Sequence, residues 1–119
     1  MPAYAMAQLR PVPPLAEGVF AYIERIQETM DPFGGRFLVH GADIEPLDGS
    51  FEGAIVVIEF PDLAAARAWY ASDAYQAILP LRTDNIPGSA FLVDGVGPDY
   101  DPRRTAARMR AAQAAALSA

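Results

Sequence analysis

The sequence has no cysteine, no lysine and a single histidine. Without cysteine there is no disulfide, no thiolate metal site and no cysteine nucleophile. Without lysine, Schiff-base and lysine general-base chemistry are excluded as well. All nine basic residues are therefore arginine. Long apolar runs are also missing. No stretch approaches the roughly 20 residues that cross a bilayer, although 52% of the chain is hydrophobic. The start, Met1-Pro2-Ala3-Tyr4, lacks the basic residues and long apolar region of a signal peptide. These absences predict a soluble, cytoplasmic protein with no membrane partner.

Positive charge is scarce and uneven. Fifteen acids outnumber the nine arginines, for a net charge of −6. Residues 98–119 hold four arginines and two aspartates, which leaves five arginines against thirteen acids in the rest of the chain. An acidic body repels a phosphate backbone, so no nucleic-acid partner is expected. At 119 residues the chain has room for one core.

The stretch from Gly53 to Arg82 sets the architecture. Ala54-Ile55-Val56-Val57-Ile58 is apolar without alternation, which predicts a strand buried on both faces. One face can be covered by the chain's own helices. A second layer for the other face is most simply a partner subunit, so a homodimer is expected. The strand stops at Glu59-Phe60-Pro61. Asp62 suits a helix N-cap, and Leu63, Ala66, Trp69 and Tyr70 follow at helical spacing. Ser72-Asp73 reads as a break and a second cap, and Tyr75, Ile78 and Leu79 repeat the pattern up to Pro80.

Taken in order, Tyr4 to Leu9 reads as a first strand and Pro14 as the first turn of a helix. Val19, Phe20, Ile23, Ile26 and Met30 mark that helix's apolar side. Gly34-Gly35 caps it, and lacks the spacing of a dinucleotide or phosphate loop. Arg36 to His40 is the second strand, and Ile44 to Leu47 fits an extension of it. Ala90-Phe91-Leu92-Val93 is the fourth, closed by Gly95. The order β-α-β-β-α-β is that of a ferredoxin-like α+β fold with a four-stranded antiparallel sheet, in which strands one and three are central. Residues 1–97 form that domain. Residues 98–119 form a Pro/Asp linker and an Ala/Arg-rich C-terminal helix, thin in large apolar residues and suited to lying on the body or a neighbour.

With the strands placed, a family resemblance emerges. Gly34-Gly35-Arg36-Phe37-Leu38-Val39, Val57-Ile58-Glu59-Phe60-Pro61, Ala65-Ala66-Arg67-Ala68-Trp69-Tyr70 and Tyr75-Gln76-Ala77-Ile78-Leu79-Pro80-Leu81-Arg82 resemble the DUF1330 family of uncharacterised proteins. Phe91 to Gly95 resembles its last strand, so the similarity spans roughly residues 3–96. The resemblance implies a dimeric α+β barrel, two ferredoxin-like sheets packed face to face. That architecture is shared with cofactor-independent monooxygenases and muconolactone isomerases. The family often carries arginine where this chain has His40, and proline-glutamate where it has Asp73-Ala74.

Seven residues are candidates for chemistry. His40 ends the second strand, where an imidazole can act as a general base; the alternative is a strand-end histidine bonded to a carbonyl or water. Strict alternation places Arg36, Leu38 and His40 on one face and Phe37 and Val39 on the other. Glu59 and Asp94 end strands three and four, positions where carboxylates can abstract a proton or simply pair with Arg36, Arg67 or Arg82. Tyr70 and Tyr75 can line an aromatic cleft between helix and sheet, while Trp69 reads as core. Arg82 can bind a carboxylate or enolate oxygen bidentately, or pair with Asp84 or Asp94. The catalytic set is thus His40, Glu59 and Asp94, and the substrate-binding set Arg36, Tyr70, Tyr75 and Arg82. One histidine among scattered acids is no metal pattern, and neither a metal nor a cofactor is expected. Two functions fit: a cofactor-independent isomerase, cyclase or monooxygenase acting on a small apolar or aromatic substrate, and a non-catalytic ligand-binding or accessory protein.

Overall fold

Four strands, β1 (Ala3–Leu9), β2 (Arg36–His40), β3 (Ala54–Phe60) and β4 (Gly88–Asp94), form one antiparallel sheet in the order β2-β3-β1-β4. The structure is a computed structural model and describes residues 1–118. β1 and β3 are the central strands, as the unbroken apolar run of β3 demands. Three helices cover one face of the sheet: α1 (Glu17–Met30), α2 (Leu63–Ala71) and α3 (Asp73–Thr83). A fourth, α4 (Pro102–Ser118), follows the domain and buries none of its residues. The last residue of the expected tail helix, Ala119, lies outside the described residues.

Register assigns the two faces. Ala5 stands between Ile58 and Leu92, and these point at the helices. Met6 stands between Val57 and Phe91, and these point the other way. The helix-facing row of β1 is Ala3, Ala5 and Ala7, with Ala90 beside Ala7 on β4. Small residues there leave the middle of the sheet without side-chain filling. The core forms around that row, from Tyr22, Ile26 and Met30 of α1, Ile58 and Phe60 of β3, and Trp69, Tyr75 and Ile78 of α2 and α3.

Local chemistry explains the helix ends. The Asp62 carboxylate accepts from the Ala65 N–H at 2.8 Å, and the Ser72 hydroxyl accepts from the Tyr75 N–H at 3.3 Å, so α2 and α3 each have a side-chain N-cap. After α1 the chain makes one 3-10 turn, Asp31–Phe33, and Gly34 ends it in the left-handed region at φ 73°. The Gly35 N–H then donates to the Met30 carbonyl at 3.2 Å.

Several elements differ from the sequence expectation. α1 begins at Glu17, beyond Pro14. Its buried face is Val19, Tyr22, Ile26, Thr29 and Met30, while Phe20 and Ile23 are exposed. β3 continues through Glu59 to Phe60, whose ring is fully buried. Residues 41–53 have no regular structure, so Ile44 to Leu47 does not extend β2. α3 does not stop at Pro80. A proline removes one N–H, but the helix closes again when the Asp84 N–H donates to the Pro80 carbonyl at 2.9 Å.

Candidate small-molecule site between the sheet and the helices

The alanine row of the sheet and the aromatic faces of the helices enclose a cavity of about 280 Å³. Its lining is mostly apolar, drawn from all four strands and from α1, α2 and α3. Four of the seven candidate residues, His40, Tyr70, Tyr75 and Arg82, line it together.

His40 reaches the cavity because β2 is bulged. Phe37 pairs with Ile58, but the next pair is Val39 with Val57, leaving Leu38 as an extra residue. An extra residue inverts the alternation beyond it. His40 therefore pairs with Val56 on the helix-facing side, and Arg36, with Glu59, stays on the open side. The simple alternation that grouped Arg36 with His40 is corrected accordingly. Phe37 and His40 now share a face, and their rings stack with centroids 4.3 Å apart and an interplanar angle of 10°.

The buried wall is aromatic. Trp69 packs on Phe60 at 5.2 Å and on Tyr75 at 4.1 Å between centroids. Its indole N–H donates to the Thr29 hydroxyl at 3.0 Å, and that hydroxyl donates to the Ile26 carbonyl at 2.7 Å. Trp69 is thus core and cavity wall at once. Tyr70 is exposed, with its ring 5.6 Å from that of Tyr75.

Deeper still, the Tyr22 and Tyr75 hydroxyls are 2.8 Å apart. Arg82 lies against them, its guanidinium carbon 5.9 Å from the centre of the Tyr22 ring. The continuation of α3 past Pro80 is what puts it there. Tyr75, Ile78 and Arg82 fall three and four residues apart on one helix face, and all three are buried. Burial raises the Tyr22 pKa, and Tyr75 adds to the rise. Burial alone would lower that of Arg82, but the Tyr75 and Tyr22 hydroxyls outweigh it and the guanidinium is held above its ordinary value. Tyr22 is missing from the candidates because the apolar side of α1 reads as Val19, Phe20, Ile23, Ile26 and Met30. Its spacing of three and four from Val19 and Ile26 was the available signal.

The remaining candidates lie elsewhere. Arg36 and Glu59 form an ion pair at 2.9 Å on the open face of the sheet. Asp94 pairs with Ala3 in register, at the end of the sheet opposite His40, and is exposed and outside the cavity lining. Among the described residues neither Asp84 nor Asp94 pairs with Arg82.

A four-stranded antiparallel sheet in the order β2-β3-β1-β4, with helices on one face, defines a ferredoxin-like α+β protein. Residues 2–96 match the family described as a domain of unknown function (DUF1330). The chain belongs to that family. No curated protein is similar to it in sequence. The methylated RPA0582 protein, of unknown function and from Rhodopseudomonas palustris, superposes with a TM-score of 0.65 at 17% identity, over 83% of this chain and 84% of that one. A dimeric ferredoxin-like protein of unknown function from Thermobifida fusca gives a TM-score of 0.54 at 18% identity, over 80% and 92% of the two chains. SnoaB from Streptomyces nogalater, a cofactor-independent oxygenase, gives 0.50 at 11% identity, over 84% and 96%. At these identities the likeness establishes the fold.

Proposed function

We propose that the chain is a homodimer whose subunits each take a small apolar or aromatic molecule into the cavity and move a proton on it without a cofactor. The observation that carries this reading is the convergence of His40, Tyr70, Tyr75 and Arg82 on one largely apolar space. His40 is the general base, set at the solvent side where the proton can be passed on. The tyrosines and the indole present flat surfaces to a planar substrate. Isomerisation, cyclisation and oxygenation through an enolate all begin with such a proton transfer. SnoaB supports the reading by fold alone.

The dimer is supported by the open face of the sheet. Leu38, Phe91 and Val93 are 44%, 50% and 43% exposed there, beside Met6, Ile55 and Val57. A contiguous apolar face of this kind marks an interaction surface, and solved relatives of this fold are described as dimeric.

One observation favours a binding role without catalysis. Glu59 and Asp94 stand outside the cavity, so His40 has no carboxylate from the candidate set to orient it. Hydrogen–deuterium exchange at the acidic carbon of enolisable bicyclic ketones such as 2-tetralone, followed by NMR in D₂O, separates the two. The catalytic reading predicts exchange faster than in buffer and a loss of about 100-fold in His40→Ala. Exchange at the buffer rate across the series would leave the binding role.

A further inference from the structure

We infer that the deep end of the cavity is an anion subsite formed by Arg82, Tyr22 and Tyr75, and that the ligand is an aromatic acid of one or two rings. This rests on the reading of the cavity as a small-molecule site and names the ligand class.

Arg82 is the anomaly. It is 7% exposed, and a guanidinium is charged at every accessible pH. A buried cation without a counter-ion costs several kcal/mol, which is why buried arginines are ordinarily paired with carboxylates. Here, among the described residues, the ion pairs are Arg36–Glu59 and Arg103–Asp101 only. The polar side chains that act on Arg82 are two phenols, Tyr75 and Tyr22. Among the described residues no fully buried side-chain nitrogen lacks a partner, so guanidinium nitrogens that make no hydrogen bond are not sealed in packing, and Arg82 lines the cavity. A carboxylate entering that space would meet a bidentate donor whose position is already fixed by α3.

The phenols complete the subsite. One hydroxyl donates to the other across 2.8 Å, and the accepting hydroxyl keeps its own proton for a further acceptor. Burial holds Tyr22 in its protonated, donating form. The three groups therefore offer donors at one end of an otherwise apolar chamber, which fits a molecule that is charged at one end and flat and apolar at the other. Size sets the scale. A cavity of about 150 Å³ holds one benzene ring, and this one measures about 280 Å³.

Titration calorimetry of the full chain with 1-naphthoate and its uncharged isostere 1-naphthamide tests the assignment. The naphthoate is expected to bind at least about tenfold more tightly, as charge-assisted bonds to a carboxylate imply. Arg82→Met should bring the two within about twofold, Arg82→Lys should restore part of the preference, and Tyr22→Phe should weaken the naphthoate severalfold while sparing the amide. A merely structural Arg82 would not move this ratio. Equal binding of acid and amide by the wild-type protein, or a ratio unchanged in Arg82→Met and Tyr22→Phe, would overturn the anion subsite and leave the cavity reading standing. Binding of neither compound would overturn both. The wild-type ratio needs no variant, so a poorly folded Arg82→Met does not blunt the test.

Discussion

Tyr22 binds its proton more tightly in the folded chain than in water, because burial penalises the phenolate and Tyr75 adds to the effect. A group whose folded pKa is raised contributes stability that is complete below its unfolded value, here the ordinary 10.0, and that disappears as pH rises toward the folded value. Tyr22→Phe removes the titration together with the bond to Tyr75. The variant should lose about 1 kcal/mol near neutral pH, yet show a shallower decline of stability above about pH 10. Urea unfolding from about pH 8 to about pH 11 measures both; curves that run parallel would show that Tyr22 does not titrate in this way. Thr29 illustrates the same economy at a single residue. Its hydroxyl satisfies the indole N–H of Trp69 and spends its own proton on the carbonyl of Ile26.

Elements meet tightly where α1 turns into β2. A Cβ on Gly35 would stand 2.6 Å from Cε1 of Phe60 and 3.1 Å from Cβ of Met30, and both of those residues are fully buried. Gly35→Ala should therefore cost about 1–3 kcal/mol through overpacking, read as a lower urea midpoint; an unchanged midpoint would mean that this junction has slack. Strand order was legible because an unalternating Ala54–Ile58 can only be central, and the caps at Asp62 and Ser72 were legible from residue type. The β2 bulge was not. An extra residue carries no mark in a run such as Arg36-Phe37-Leu38-Val39-His40, yet it decides which face His40 occupies. Pro80 misled in the other direction. Proline reads as a stop, but one lost hydrogen bond is tolerable when Tyr75, Ile78 and Arg82 continue a buried face beyond it. Four cavity residues were thus picked by chemical type, while Tyr22 and the alanine row that makes the space depend on packing between distant elements.

At the scale of the whole molecule two surfaces remain uncovered within one chain. α4 buries no residue, carries Arg103, Arg104, Arg108 and Arg110, and extends a molecule 55 Å long on its principal axis. The open face of the sheet exposes Leu38, Phe91 and Val93, and Val57 stands near its middle, between Val39 and Met6. A carboxylate there would be buried by sheet-to-sheet packing, so Val57→Asp should give monomer or insoluble protein. The most direct measurement is native mass spectrometry of freshly purified wild-type chain and Val57→Asp, with and without 1-naphthoate. The wild type is predicted to fly as a dimer that takes up to one naphthoate per subunit, and the variant to lose the dimer. A wild-type monomer, or a folded dimer from Val57→Asp, would contradict the sheet-to-sheet assembly, and a dimer that stays bare at saturating naphthoate would contradict the cavity as its binding site.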